Sequence, residues 1–185
     1  MIEFDEKQFE RARLLLHNVP NGIERAAAAA LNRAAEHAKT ASMRKVRETY
    51  TIKTAKIDAR LQVQRASTAS LFASVRDVGR PIVLSYFNIR PNQPPGKRIG
   101  KLVYAQVRRD AGGTIKKVFV ARMKSGHVGV WWRANGNKSL PIKQLHAPSL
   151  PQMLGSPSVS EFTTKAAVQV LQVRLEHEIS RLLKG

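Results

Sequence analysis

The segment from Ile23 to Tyr50 constrains the fold more than any other part of the chain. Its apolar positions Ile23, Ala27, Ala30, Leu31, Ala34, Ala38, Ala41 and Val46 recur at spacings of three and four, which is the pattern of one continuous amphipathic helix. At 1.5 Å per residue such a helix spans roughly 40 Å. Its inward face is almost all alanine. Alanine buries little area, but it lets a neighbouring helix approach closely, so the bulk must come from a partner. The stretch from Pro157 to Leu183 fits that part. Ser158 or Ser160 can cap it, and Phe162, Ala166, Val170, Val173, Ile179 and Leu182 form its apolar stripe.

The remaining segments are shorter. Asp5 to His17 reads as a helix capped by Asp5, with Phe9, Ala12, Leu15 and Leu16 on one side. Pro20-Asn21-Gly22 ends it. Thr54 to Leu61 has room for one or two helical turns, with Ile57 and Leu61 inward and Lys53, Lys56 and Arg60 outward. From Ser70 the period changes. Ser70–Arg76, Pro81–Phe87, Lys101–Arg108, Ile115–Ala121 and Val128–Arg133 are short, often alternating, and rich in β-branched and aromatic residues. Asp110-Ala111-Gly112-Gly113 lies between two of them as a hairpin loop. Arg90–Gly100 is a basic Pro/Gly-rich loop, and Asn135–Gly155 has little periodicity. The expected fold is α+β: N-terminal helices, an antiparallel block of about five strands, and a C-terminal helix packed on the long helix. The expectation is a single domain over residues 1–185. Its parts are helical at 1–62, basic and β at 63–135, extended at 136–156, and helical again at 157–185.

Charge is the abnormal quantity. The 185 residues hold 32 Lys and Arg against 13 Asp and Glu, for a formal net charge of +19. Residues 1–40 carry six basic and six acidic side chains, whereas residues 41–143 carry 22 basic and four acidic ones: Glu48, Asp58, Asp77 and Asp110. The excess is therefore confined to the middle, which is the part expected to meet an anion. Cysteine is absent, which excludes disulfides, thiol catalysis and cysteine-ligated metals. The longest apolar run, Ala26 to Leu31, is far short of a membrane span. The acidic start, Met1 to Glu6, does not read as a secretory signal.

No catalytic constellation is legible. His17, His37, His127, His146 and His177 are scattered without metal-ligand spacing. The basic middle has too few acids, too widely spread, for a metal nuclease. Neither a phosphate-binding glycine loop nor a Gly-x-Ser-x-Gly elbow occurs. The reading is of a non-enzymatic protein with no catalytic, cofactor-binding or metal-binding residues and no cofactor.

Several stretches taken in order resemble a known family. The alanine-rich helix holds Ala30-Leu31-Asn32-Arg33-Ala34, followed by Val46-Arg47-Glu48-Thr49-Tyr50 and the basic segment Ile52–Arg60. A basic β region follows, then Ser139-Leu140-Pro141-Ile142-Lys143, Ala147-Pro148-Ser149 and a C-terminal helix. This order resembles the minor tail protein Z family of long-tailed bacteriophages and prophages, over nearly the whole chain. The resemblance implies a virion structural protein that completes the tail at its head-proximal end and enables head–tail joining. By analogy with other neck and tail-terminus proteins it implies a ring of about six subunits around the DNA channel. Its implied neighbours are the tail terminator or tail tube, the end of the tape measure, the head–tail connector and genomic DNA. No membrane is implied, and assembly takes place in the host cytoplasm.

The candidate DNA- or anion-facing residues are Arg90, Lys97, Arg98, Lys101, Arg108, Arg109, Lys116, Lys117, Arg122 and Lys124. Lysine and arginine on phosphates give a contact tolerant of any sequence. The same side chains could instead meet acidic subunits or simply be solvated. Reversal of Lys97, Arg98, Arg108 and Arg109 to glutamate is expected to spare the monomer fold and impair particle assembly. Trp131 and Trp132 are adjacent, so on a strand they face opposite ways. One is expected in the core and the other at a protein interface, unless both are core residues. Leu140, Pro141 and Ile142 either dock on a neighbour or cover their own core. A stand-alone, sequence-independent nucleic-acid-binding protein is the alternative reading, and few aromatics accompany the basic loop for base stacking.

Overall fold

The computed structural model describes residues 6–53, 60–77, 79–96, 102–136 and 140–184. Its architecture is α+β: two N-terminal helices, a run of short antiparallel strands, and a long C-terminal helix. The expected turns over Thr54–Ala59 and the Asp5 cap lie outside the described residues. The chain separates into two compact units, residues 1–45, 60–77 and 156–185, and residues 46–59 and 78–155.

The first unit holds α1 (Glu6–Leu15), most of α2 (Gly22–Thr49), the strand pair β1 (Gln62–Gln64) and β2 (Ser74–Arg76), and α4 (Pro157–Leu183). Ala26, Ala30 and Ala34 of α2 share one core with Leu171, Leu175 and Ile179 of α4, closed by Ala12 and Leu16. Both sets repeat every four residues, so a small-residue ridge meets a large-residue ridge. Leu175 is 1% exposed, and burying one leucine contributes about 1.5–3 kcal/mol.

The stripe on α4 differs in detail from the sequence reading. Val159, Ala167, Leu171, Leu175 and Ile179 are buried, while Val173 is 62% exposed. Apolar residues occupy two adjacent ridges of this helix, and the alanine face selects the one carrying the bulkier leucines. Phe162 is half-buried under Arg44 and Lys45, whose cations each stand 5.3 Å from its ring centre. Leu15 also turns outward, at 47% exposure.

The second unit contains the end of α2, α3 (Leu150–Leu154), and β3 (Ile82–Val83), β4 (Asn88–Arg90), β5 (Val103–Arg108), β6 (Ala111–Ile115), β7 (Val118–Arg122), β8 (Val128–Arg133), β9 (Ile142–Gln144) and β10 (His146–Ala147). Among the described residues β4-β5-β6 and β7-β8-β9 are antiparallel sheets, and β3 pairs with β10. Their core is Leu84, Ile89, Val103, Ala105, Val120 and Val130.

Two expected strands are broken. Pro81–Phe87 bends into a 3-10 turn at Leu84–Tyr86, and Ile82, Leu84, Phe87 and Ile89 are all buried although the step from 84 to 87 breaks the strand period of two. Ile115–Ala121 is split because Lys117 adopts φ 61°, a left-handed conformation that ends β6 and lets the chain start β7 in another sheet. The Asp110–Gly113 hairpin exists, but its turn is Arg109-Asp110 and its glycines belong to β6. The stretch of little periodicity hides β9, β10 and α3. In α3, Gln152 Oε1 accepts hydrogen bonds from the Ser149 N–H and hydroxyl at 2.8 and 3.0 Å.

Candidate functional site

The cationic residues singled out in the sequence are spread over several turns and strand ends. Lys97, Arg98 and Lys101 lie outside the described residues. The others occupy the β5–β6 turn, the β6–β7 turn, the β7–β8 turn and the end of β4.

At the β5–β6 turn the charges are already engaged. Arg108 Nε and Nη2 donate to the two carboxylate oxygens of Asp110, both at 3.0 Å. That hydrogen bond holds the Asp110 carboxyl below the usual aspartate range and raises the guanidinium of Arg108. Arg108 also stands 5.9 Å from the Tyr50 ring centre. The Arg109 N–H donates to the Thr49 carbonyl at 2.9 Å and its Nε to the Arg47 carbonyl at 2.8 Å. Those carbonyls belong to the last turn of α2 and lack partners within the helix. A cation there also opposes the negative end of the helix dipole. Arg109 is therefore a helix cap. The expectation that its reversal to glutamate spares the fold is corrected: a carboxylate would face carbonyl oxygens.

This turn also anchors the chain leaving α2. The Thr51 N–H donates to Val107 O at 3.0 Å, and Lys53 N–H to Tyr86 O at 3.0 Å. The Thr51 hydroxyl donates to Gln106 O and accepts from the Asn88 N–H.

The β7–β8 turn is closed by Met123 and His127, with N–H to carbonyl at 2.8 Å, and Gly126 sits at φ 81°. Arg122 reaches Gln93 Oε1 at 3.3 Å and Gly126 O at 3.4 Å. The first is a contact between the hairpin tip and the loop after β4. It brings the start of the basic 90–100 loop beside Arg122. Lys124 is exposed in this turn, as are Arg90 at the end of β4 and Lys116 and Lys117 in the β6–β7 turn. These four have no ion-pair partner among the described residues. The two turns sit at opposite ends of β7, roughly 17 Å apart at 3.3 Å per residue.

Neither tryptophan is among the buried core residues of this unit, to which β8 contributes Val130. Trp131 is half-buried on the opposite face of β8, packed over Gly129. A Cβ on Gly129 would stand 2.8 Å from the Gln144 amide nitrogen and 3.1 Å from the Trp131 ring nitrogen, so a side chain there would press on both. The Trp131 Nε1–H donates to Ala121 O at 3.3 Å, and His127 meets the ring edge-on at 6.1 Å. Trp132 is 39% exposed. With Lys117, Phe119 and Arg133 it lines a depression of about 410 Å³. Leu140 is 73% exposed. Pro141 O accepts from the Ala134 N–H at 3.0 Å, and Ile142 begins β9 opposite Arg133. Ser139, beside this segment, lies outside the described residues.

Sequence reasoning missed Asn32. Its Nδ2 donates to Ala66 O at 3.0 Å, and the Ala66 N–H donates to its Oδ1 at 2.8 Å. One amide side chain on α2 thus holds both backbone groups of a buried residue in the segment leading from β1. A polar residue on the flank of an otherwise alanine-rich helix was the available signal. Beside it Arg65 pairs with Glu36 at 2.8 Å, and Arg60 with Asp77 at 3.2 Å, so part of the mid-chain charge is structural.

Among the described residues no three His, Asp or Glu side chains converge to hold a metal ion, and no helix is long and apolar enough to cross a membrane. The family model of prophage minor tail protein Z (GPZ) matches residues 10–184. No curated protein and no solved structure matches the chain.

Proposed function

The chain belongs to the prophage minor tail protein Z family, whose members are structural proteins of the phage tail, and from this premise we propose that it completes the tail at the head-proximal end. It acts there as a ring, about six subunits by analogy, that lets the finished tail join a filled head. Its neighbours are the tail terminator or tube, the end of the tape measure and the head–tail connector. The role is one of assembly and binding, without turnover. The single-domain reading of residues 1–185 is part of the proposal.

The observation that carries this reading is the family match over almost the full length. The charge distribution supports its DNA-facing side. After the internal pairs are discounted, Lys116, Lys117 and Lys124 on turns and Arg90 at the end of β4 remain exposed and able to meet phosphates. A channel that passes any genome sequence requires contacts of that type. Acidic surfaces of neighbouring tail proteins are the other partner these cations fit.

The reading is tested by complementation. Tails assembled without this protein should fail to join filled heads, and adding the purified chain should restore joining. Normal joining without it would overturn the assignment. A protein that binds duplex DNA but never enters particles would favour the stand-alone nucleic-acid-binding alternative.

A further inference from the structure

Strand β6 is an open edge. It pairs with β5 on one side and with no strand on the other among the described residues. Its sequence, Ala111-Gly112-Gly113-Thr114-Ile115, carries no charge, no proline and no large polar side chain. Folded proteins normally protect such edges with charge, proline or a covering element, because an unpaired strand recruits another.

The inner side of this edge is also incomplete. Gly113 lies opposite the buried Ala105. A Cβ on Gly113 would meet nothing within 4 Å. The layer therefore thins there into a mainly apolar groove of about 620 Å³ lined by Leu84, Ala105, Val107, Ile115 and Pro148, with Tyr50 and the Asp110-paired Arg108 beside them. A strand added to β6 would bond to its free N–H and C=O groups and lay alternate side chains in that groove.

The chain carries a segment suited to fill it. Residues 66–75, between Arg65 and Arg76, are ten consecutive uncharged residues in a sequence of net charge +19. Within them Leu71, Phe72 and Ala73 have neither helix nor strand structure, and Leu71 and Phe72 are 38% and 50% exposed. Charge decides between occupants. Nucleic acid and acidic proteins are drawn to the cationic turns and gain nothing at a neutral edge. Two copies of this chain, each of net charge +19, repel least where both surfaces carry no net charge. The Ser70–Ala73 segment is uncharged, and the one cation lining the groove, Arg108, is paired with Asp110.

We propose that the Leu71-Phe72-Ala73 segment of one copy adds as a strand to the β6 edge of the next, with Phe72 in the groove over Gly113. Donor and acceptor are different patches of the same chain, so the contact is head-to-tail and propagates into a ring or a filament. The inference rests on the tail-completion reading for its setting only, since the contact needs neither tail nor DNA to form.

The cysteine-free chain allows a clean test. Phe72→Cys and Gly113→Cys variants are purified separately, mixed, and oxidised with diamide. The expected product is a mixed disulfide dimer joining residues 72 and 113, identified by mass spectrometry, and formed at least tenfold faster than in a mixture of Phe72→Cys with Lys124→Cys. Sedimentation is expected to show concentration-dependent assembly of the unmodified chain. Phe72→Glu should abolish assembly while leaving the circular dichroism spectrum and melting temperature unchanged. A chain that stays monomeric at high concentration, or one whose oligomers survive Phe72→Glu and cross-link no faster than the control, would overturn the proposal. Oligomers joined through this contact in a protein that tails do not need would leave the contact standing and remove the tail-completion role.

Discussion

Replacing Asn32 with alanine tests how α2 holds the segment after β1. The wild-type amide makes two hydrogen bonds to Ala66, at 3.0 and 2.8 Å, and Ala66 is only 8% exposed. Each bond contributes about 0.5–1.5 kcal/mol net, and a buried backbone group left without a partner costs about 1–3 kcal/mol. Alanine returns about 0.6 kcal/mol through its better helix propensity. The net loss should be about 2 kcal/mol. The same loss should appear locally, because the segment can detach before the whole chain unfolds. Urea unfolding measures the global loss. Trypsin cleavage after Arg65, under conditions where opening is fast relative to cutting, measures the local one and should rise about 30-fold, since about 1.4 kcal/mol is a factor of ten. Arg33→Ala, on the exposed neighbour, should change stability by less than about 0.5 kcal/mol. An Asn32→Ala protein within about 0.5 kcal/mol of wild type, with unchanged cleavage at Arg65, would refute the reasoning.

Leu175→Ala should cost about 2–5 kcal/mol by leaving a cavity against the alanine ridge, and Ala30→Leu should cost about 1–3 kcal/mol by overpacking the same contact; both are read by urea melts. Arg109→Glu should lose about 1–2 kcal/mol with the side-chain bond from Nε to the Arg47 carbonyl, the backbone bond to Thr49 being kept, whereas Arg109→Lys should recover part of it. The triple variant Arg90→Glu, Lys116→Glu, Lys124→Glu should keep wild-type stability. Its affinity for duplex DNA should fall, with a log–log salt slope shallower by about 3. The Arg108–Asp110 pair sets a pH dependence of known sign. The Asp110 carboxyl is lowered in the folded chain, so its contribution is present above the ordinary aspartate range and is lost as pH falls through the lowered value. Asp110→Asn should flatten the stability profile in that acidic window.

The long elements were legible because their periodicity is local. The α2 pattern runs over many turns, and the alanine face announced a bulky partner helix before any contact was known. What stayed hidden depends on residues distant in sequence. Arg109 reads as one more surface cation until the end of α2, about sixty residues earlier, is placed against it. Lys117 continues a β-rich run, and only its backbone conformation breaks the strand. Trp131 and Trp132 had to face opposite ways on a strand, but which of them faces the core depends on the register, which pairing with distant strands sets. On α4 two ridges carry apolar residues, so the sequence alone could not select between Val173 and Leu175. Asn32 stood within the stretch that carried the family resemblance, but its partner is a backbone, which leaves no mark in side-chain patterns. The candidate cations were identified as a class. Their division into capping, paired and free groups came from tertiary placement.

The most direct measurement is a cryo-EM reconstruction of the intact particle containing this protein, averaged under its own local symmetry at the tail's upper end. The account predicts a ring of this chain at the head-proximal end, with Arg90, Lys116 and Lys124 lining the DNA path. Density for the chain elsewhere in the particle, or a ring whose cationic turns face away from DNA and from every acidic neighbour, would contradict it.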